Sequence, residues 1–148
     1  MAAPTPGTIQ KIYRGGAWDN NPEQRELPAA AAGILPGNVL FRTATTFKKS
    51  DTNGQTDVQV FVAKQPMHQA ISYSYASGET VFAYIPRRKE IYACRVAATQ
   101  TIAASAPVTV DAAGRVRLAV AGTDDIIGFA VNAIASPAVD TLVDIQWA

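Results

Sequence analysis

His68 is the one histidine in the chain, so a Ser-His-Asp or Cys-His mechanism would have to use it. It sits in KQPMHQAIS among loop-forming residues, where a lone histidine is most simply a solvated or hydrogen-bonded side chain. Cys94, the single cysteine, falls inside EIYACRV between Tyr92 and Val96 at strand spacing, which reads as a small buried hydrophobe rather than a nucleophile. Asp124 and Asp125 in GTDDII offer too few oxygens for a cation and have no calcium-loop pattern around them, so they read as an acidic turn. GGAWDNN, residues 15 to 21, pairs two glycines with no following lysine and no phosphate-loop spacing. With no Cys/His cluster at zinc spacing either, the sequence predicts no catalytic residue, no cofactor and no metal.

Composition narrows the partners. A chain of 148 residues is long enough for one domain with a real core. Only 17% of it is charged, against about 25% in an average soluble domain, so much of its surface must be neutral, which favours burial against partners. Thirteen Lys+Arg balance twelve Asp+Glu without a block of like charge, which disfavours nucleic acid as a direct partner. A single thiol fits folding in a reducing cytoplasm. MAAPTPGTIQKIYRGG lacks the apolar stretch of a signal peptide, and no run approaches a membrane span, so a soluble chain with no membrane partner is expected.

The elements that would carry any site follow from the patterning. Residues 1–36, interrupted by Pro4, Pro6, Pro22, Pro28 and several glycines, read as an extended arm, and 37–148 as the folded domain. Tyr13 and Trp18 are too large and apolar to leave in water, so the arm is expected to be clamped onto the domain, a sister subunit or another partner. From Asn38 the period is two: VLF, DVQVFVA (57–63), ETVFAYI (79–85), EIYACRV, VTV, the return strand 115–121, IIGFAVNAI and AVDTLVDIQWA are all read as strands. In 115–121 the alternation places Val116, Leu118 and Val120 inward and Arg115 and Arg117 outward. Asp111-Ala112-Ala113-Gly114 reads as a hairpin turn, and Gly128 within a strand as a bulge or a close backbone approach. The fold class is therefore all-β, a small β-barrel or sandwich with an extended N-terminal arm.

The segment from Ser74 to Ile134 resembles the capsid decoration (cement) proteins of tailed bacteriophages. The matching features are a G-E-T-V strand at Gly78 to Val81, a Pro-Arg-Arg turn at Pro86 to Arg88, the element from Ile102 to Val108, the Asp111 to Val116 hairpin and the I-G-F-A strand at Ile127 to Ala130. TLVDIQWA fits the family's closing strand, and the likeness spans residues 70 to 148 with a looser match at GILPGNVLF. The resemblance implies a non-enzymatic protein made in the host cytoplasm and bound to the outer capsid surface of the virion. Its implied partners are the major capsid protein, whose lattice it would stabilise, and itself, as a homotrimer or a dimer. Tyr13, Arg14, Trp18 and Arg25 in the arm, with Arg87 and Arg88 in the basic turn, have the aromatic and arginine character enriched at interface hot spots and are the expected contact residues. The rival readings are another virion β protein of the tail or head-completion class, a small trimeric hydrolase using His68, and a carbohydrate-binding module. The last would need aromatics aligned on one exposed face, whereas alternation puts Tyr92 and Trp147 on mixed apolar faces.

Overall fold

The computed structural model describes residues 12–16, 22–56 and 58–148. Its strands are β1 (Tyr13–Gly15), β2 (Gln24–Pro28), β3 (Val39–Arg42), β4 (Phe47–Lys49), β5 (Val60–Ala63), β6 (Thr80–Tyr84), β7 (Ile91–Val96), β8 (Thr101–Ile102), β9 (Pro107–Val110), β10 (Val116–Leu118), β11 (Gly128–Ala130), β12 (Ile134–Ala135) and β13 (Thr141–Trp147). The chain is all-β, as its period of two predicts. Strands β7, β10, β9, β11 and β13 pair in that order, and β13 pairs back along the whole of β7, closing a five-stranded barrel. A second sheet runs β2-β6-β5-β3-β4, and β8 with β12 forms a short ribbon.

The second sheet has two apolar faces because both parities of its strands are hydrophobic. Val39, Phe41, Val62 and Tyr84 point into the core shared with the barrel, beside Tyr92, Cys94, Val96, Val108, Ile145 and Trp147. Leu40, Phe61, Ala63, Val81 and Ala83 point the other way, into a smaller core roofed by Ala29, Ile34 and Tyr75. One sheet thus serves as the wall between two cores.

The β9–β10 hairpin forms as its sequence suggests. The Asp111 carboxylate accepts from the backbone N–H groups of Ala113 and Arg115 at 2.8 and 2.9 Å, and Gly114 takes the left-handed φ of 74° that closes the turn. This hairpin also docks on the second sheet, since Val39 N donates to Gly114 O and Ser50 Oγ to Asp111 O, both at 2.8 Å.

Both described stretches of the segment read as an arm are hydrogen-bonded into sheets. β2 pairs along β6 from Gln24↔Tyr84 to Pro28↔Thr80. β1 lies on β7, with Tyr13 opposite Tyr92 and the buried Ile12 accepting from Ala93 N at 2.7 Å. The β7 edge away from β13 is thereby shared by three pieces: Ile12 at Ala93, Gly37 O accepting from Arg95 N, and β10 at Val96.

Several strands differ from the alternation. The return strand is only Val116–Leu118; the chain then leaves the ladder, and Leu118 and Val120, expected inward, are exposed. IIGFAVNAI divides into β11 and β12. The strand expected from residue 57 begins at Val60 and leaves Val58 exposed, while Val139 precedes β13 and lies in solvent. Leu118 is the last rung of its ladder, opposite Val108, while Val58, Val120 and Val139 lie beyond the residues that find a ladder partner.

Candidate functional site

Five of the six expected contact residues lie among the described ones; Trp18 lies outside them. Tyr13, on β1, is half-buried and packs its ring against Tyr84 and Tyr92, with centroids 6.2 and 5.5 Å apart. Arg14 pairs through Nε with Asp144 on β13 at 3.2 Å. Arg25 is exposed on β2, opposite Ala83 of β6. Arg87 and Arg88 occupy the exposed turn from β6 to β7, where Arg87 Nη2 meets Glu23 just ahead of β2 at 2.7 Å.

The fold gathers these residues around one turn. β1 flanks it on the β7 side, β2 flanks it on the β6 side, and the turn is fixed from within. The nearly buried Glu90 accepts from Arg87 N at 2.7 Å, while Lys89 N donates to Trp147 O and Trp147 N to Glu90 O. Arg25, Arg87, Arg88 and Lys89 are thus exposed cations presented by a rigid frame.

Beside this region lies a groove of about 510 Å³ lined by Tyr13, Lys64, Phe82, Tyr84 and the 65–69 loop. The Lys64 ammonium stands 5.7 Å from the Tyr84 ring centre, and burial pushes the Tyr84 hydroxyl up to about 12. His68 is on this wall, exposed in a turn with φ 64°. The described lining residues include no carboxylate, serine or cysteine to pair with it. Cys94 is fully buried in the barrel core, and burial raises its thiol pKa, so the thiolate is disfavoured. Among the described residues no group of three or more His, Cys, Asp or Glu could hold a metal ion.

The acidic turn is a latch. Asp124 accepts from Arg117 Nη1 and from Val120 N, both at 2.8 Å, and these bonds hold its carboxyl below the usual range. Asp125 accepts from Thr56 N at 2.8 Å, and Arg117 Nε also reaches Asn53 at 2.7 Å. Together with Asp125 N donating to Gly54 O, they fasten the 119–127 segment, which joins β10 and β11 on either side of β9, to the 53–56 loop. Sequence reasoning missed this fastening; the one available signal was the pair of carboxylates following Arg117 at hydrogen-bonding reach. It also missed Arg95, which donates to Pro36 O at 2.8 Å and Ile71 O at 2.6 Å and so ties two loops to the barrel.

No protein-family model matches the chain, and no curated protein does. The fold is similar to the crystal structure of the N base of the head fibre gp8.5 in bacteriophage phi29, with a TM-score of 0.58 and 14% identity. The match covers 85% of this chain and 93% of that one, so the likeness takes in both sheets rather than one barrel alone.

Proposed function

We propose that the chain is a structural component of a tailed-phage head, bound to the outer capsid surface, where it decorates and stabilises the lattice of the major capsid protein. The observation that carries this reading is the fold likeness to a phage head-fibre base across nearly the whole of both chains. The site chemistry is in keeping with it: a fixed frame, exposed arginines at one turn, and a sole histidine and cysteine that are not set up for catalysis. The role is non-enzymatic, and repeated modest contacts across a lattice supply avidity.

Arg25, Arg87 and Arg88 are the contact residues this reading assigns to the capsid, and the complementary surface is acidic. Purified wild-type chain mixed with undecorated heads is expected to co-sediment saturably. The Arg25→Glu/Arg88→Glu double variant, which alters only exposed side chains, is expected to bind about 10-fold or more weakly. Wild-type chain left in the supernatant would overturn the proposal. Deleting residues 1–36 would be a poor test, because it also removes β1 and β2 from their sheets. The same likeness favours a second reading, the base of a fibre on the head, and electron microscopy of decorated heads separates the two by whether density projects beyond a compact knob.

A further inference from the structure

Asn53 is the one asparagine in the chain that glycine follows, and the pair lies in the loop to which the 119–127 segment is latched. Such a pair can react with itself, because glycine has no side chain to crowd its own nitrogen or to restrict its turning toward the neighbouring side-chain carbonyl. Once a base has taken its proton, the Gly54 nitrogen bonds to Asn53 Cγ. The Cγ–Nδ2 bond breaks, and Nδ2 leaves as ammonia with a proton from water. Water then opens the succinimide ring at either carbonyl: opening at Cγ gives aspartate, and opening at the main-chain carbonyl gives isoaspartate, whose main chain is longer by a methylene. The balance is one water consumed for one ammonia released, with no change of oxidation state.

The fold restrains each atom that this step must move. The proton that has to leave is on Gly54 N, which donates to Val110 O of β9 at 2.9 Å, and Gly54 is buried, so base is kept from it. Gly54 O accepts from Asp125 N at 2.8 Å, which fixes the residue from its other side. The exposed Asn53 side chain is held too, its Oδ1 accepting from Arg117 Nε at 2.7 Å, and Asp124 orients the same guanidinium through Nη1 at 2.8 Å. The Arg117 bond draws electrons from Cγ and favours attack, yet a nitrogen whose proton is engaged elsewhere is no nucleophile, so the backbone bond decides. Gly54 also has no room to turn: a Cβ there would stand 2.7 Å from Asp124 Cγ and 2.8 Å from Arg117 Nη2.

Reactivity and restraint therefore meet at one residue pair. We propose that Asn53 is a self-deamidation site kept silent by the latch between the 119–127 segment and the 53–56 loop, and that it converts when that latch opens. Opening is local, since it breaks the bonds of Asp124, Asp125 and Arg117 while β7 and β13 stay paired. Conversion also makes an opening permanent. The lengthened isoaspartyl main chain has no space beside Asp124 and Arg117, where Gly54 already lacks room for a single methyl group.

Peptide mass spectrometry of the purified full-length chain, held native and in denaturing urea in one mildly alkaline buffer, tests this. Conversion of Asn53 is expected to run at least about 30-fold slower in the native chain than in the denatured one. Equal rates overturn the proposal, and so does a denatured chain that converts Asn53 no faster than Asn132, which alanine follows. Asp124→Asn keeps the shape of the side chain and removes the charge that holds Arg117. It is expected to retain the wild-type far-UV circular dichroism and to speed native conversion about 10-fold or more. A folded variant that converts at the wild-type rate overturns the proposal. Should the variant misfold, hydrogen exchange on the wild type decides: the Gly54 N–H is expected to exchange at least about 30-fold slower than in an unstructured peptide, and exchange at the peptide rate overturns the proposal. No capsid enters any of these measurements, so their outcomes leave the capsid reading unchanged.

Discussion

A methyl group at Gly128 would press into the Gln146 carbonyl oxygen and come within 3.0 Å of Ile145 Cγ2, because β13 passes directly over that position. Gly128→Ala is therefore expected to cost about 1–3 kcal/mol, read as a lower urea midpoint with an unchanged slope. This glycine was legible in the sequence, since a glycine inside an apolar strand marks a close backbone approach. Cys94 was legible for a similar reason, by its place between Tyr92 and Val96. Its thiol is fully buried, so a thiol reagent such as Ellman's is expected to leave the native chain unmodified and to react one-to-one in denaturant. Prompt reaction of the native chain would contradict the packed barrel. Leu118 and Val120 were misread, and the reason is physical. Alternation records which residues could share a face; it does not record where the ladder stops, and that depends on the Arg117–Asp124 latch formed afterwards.

At the scale of elements, β1 is three residues long and has no stability of its own, so its place depends on what it plugs. Ile12 is completely buried between β7 and the shared core, and Ile12→Ala is expected to destabilise the whole chain by about 2–4 kcal/mol in chemical denaturation. A detached arm would show no such effect on global stability. Arg95 works at the same edge from the side-chain direction. Arg95→Met would keep its apolar stem but leave the Pro36 and Ile71 carbonyls without their donor, at a cost of about 2 kcal/mol. The long alternating strands β6, β7 and β13 could be read directly, because each buries a stripe whose period shows in the residues. β1, β2 and β8 could not, since two to five residues without alternation pair only because a distant strand offers an unpaired edge. The candidate contact residues were found one by one from their types, while their gathering at one turn comes from β1 and β2 pairing on opposite sides of it.

For the whole molecule, the carboxylates set the response to acid. Hydrogen bonds from Lys48 to Asp51, from Arg117 and Val120 N to Asp124, and from Ala98 N and Arg115 to Asp140 hold all three below the ordinary carboxyl range. Groups with folded pKa values below their unfolded ones stabilise in full above about pH 4, and that contribution is lost as pH falls through the folded values. The melting temperature is therefore expected to be flat from neutral pH down to about 5 and to drop below about 4. Asp140→Asn should make that drop shallower, and a wild type whose stability rose on acidification would contradict the assignment. The sheet that walls off two cores makes these effects global, since neither core can open without exposing the other face of the same strands. That sheet and the barrel edge also fix how a pull would travel. Traction applied to the chain upstream of Ile12 would arrive first on the few bonds joining β1 to β7, and β7 is gripped along its whole length by β13. The first structure to yield under load would thus be the short strand, leaving the closed barrel behind it as the mechanical backstop.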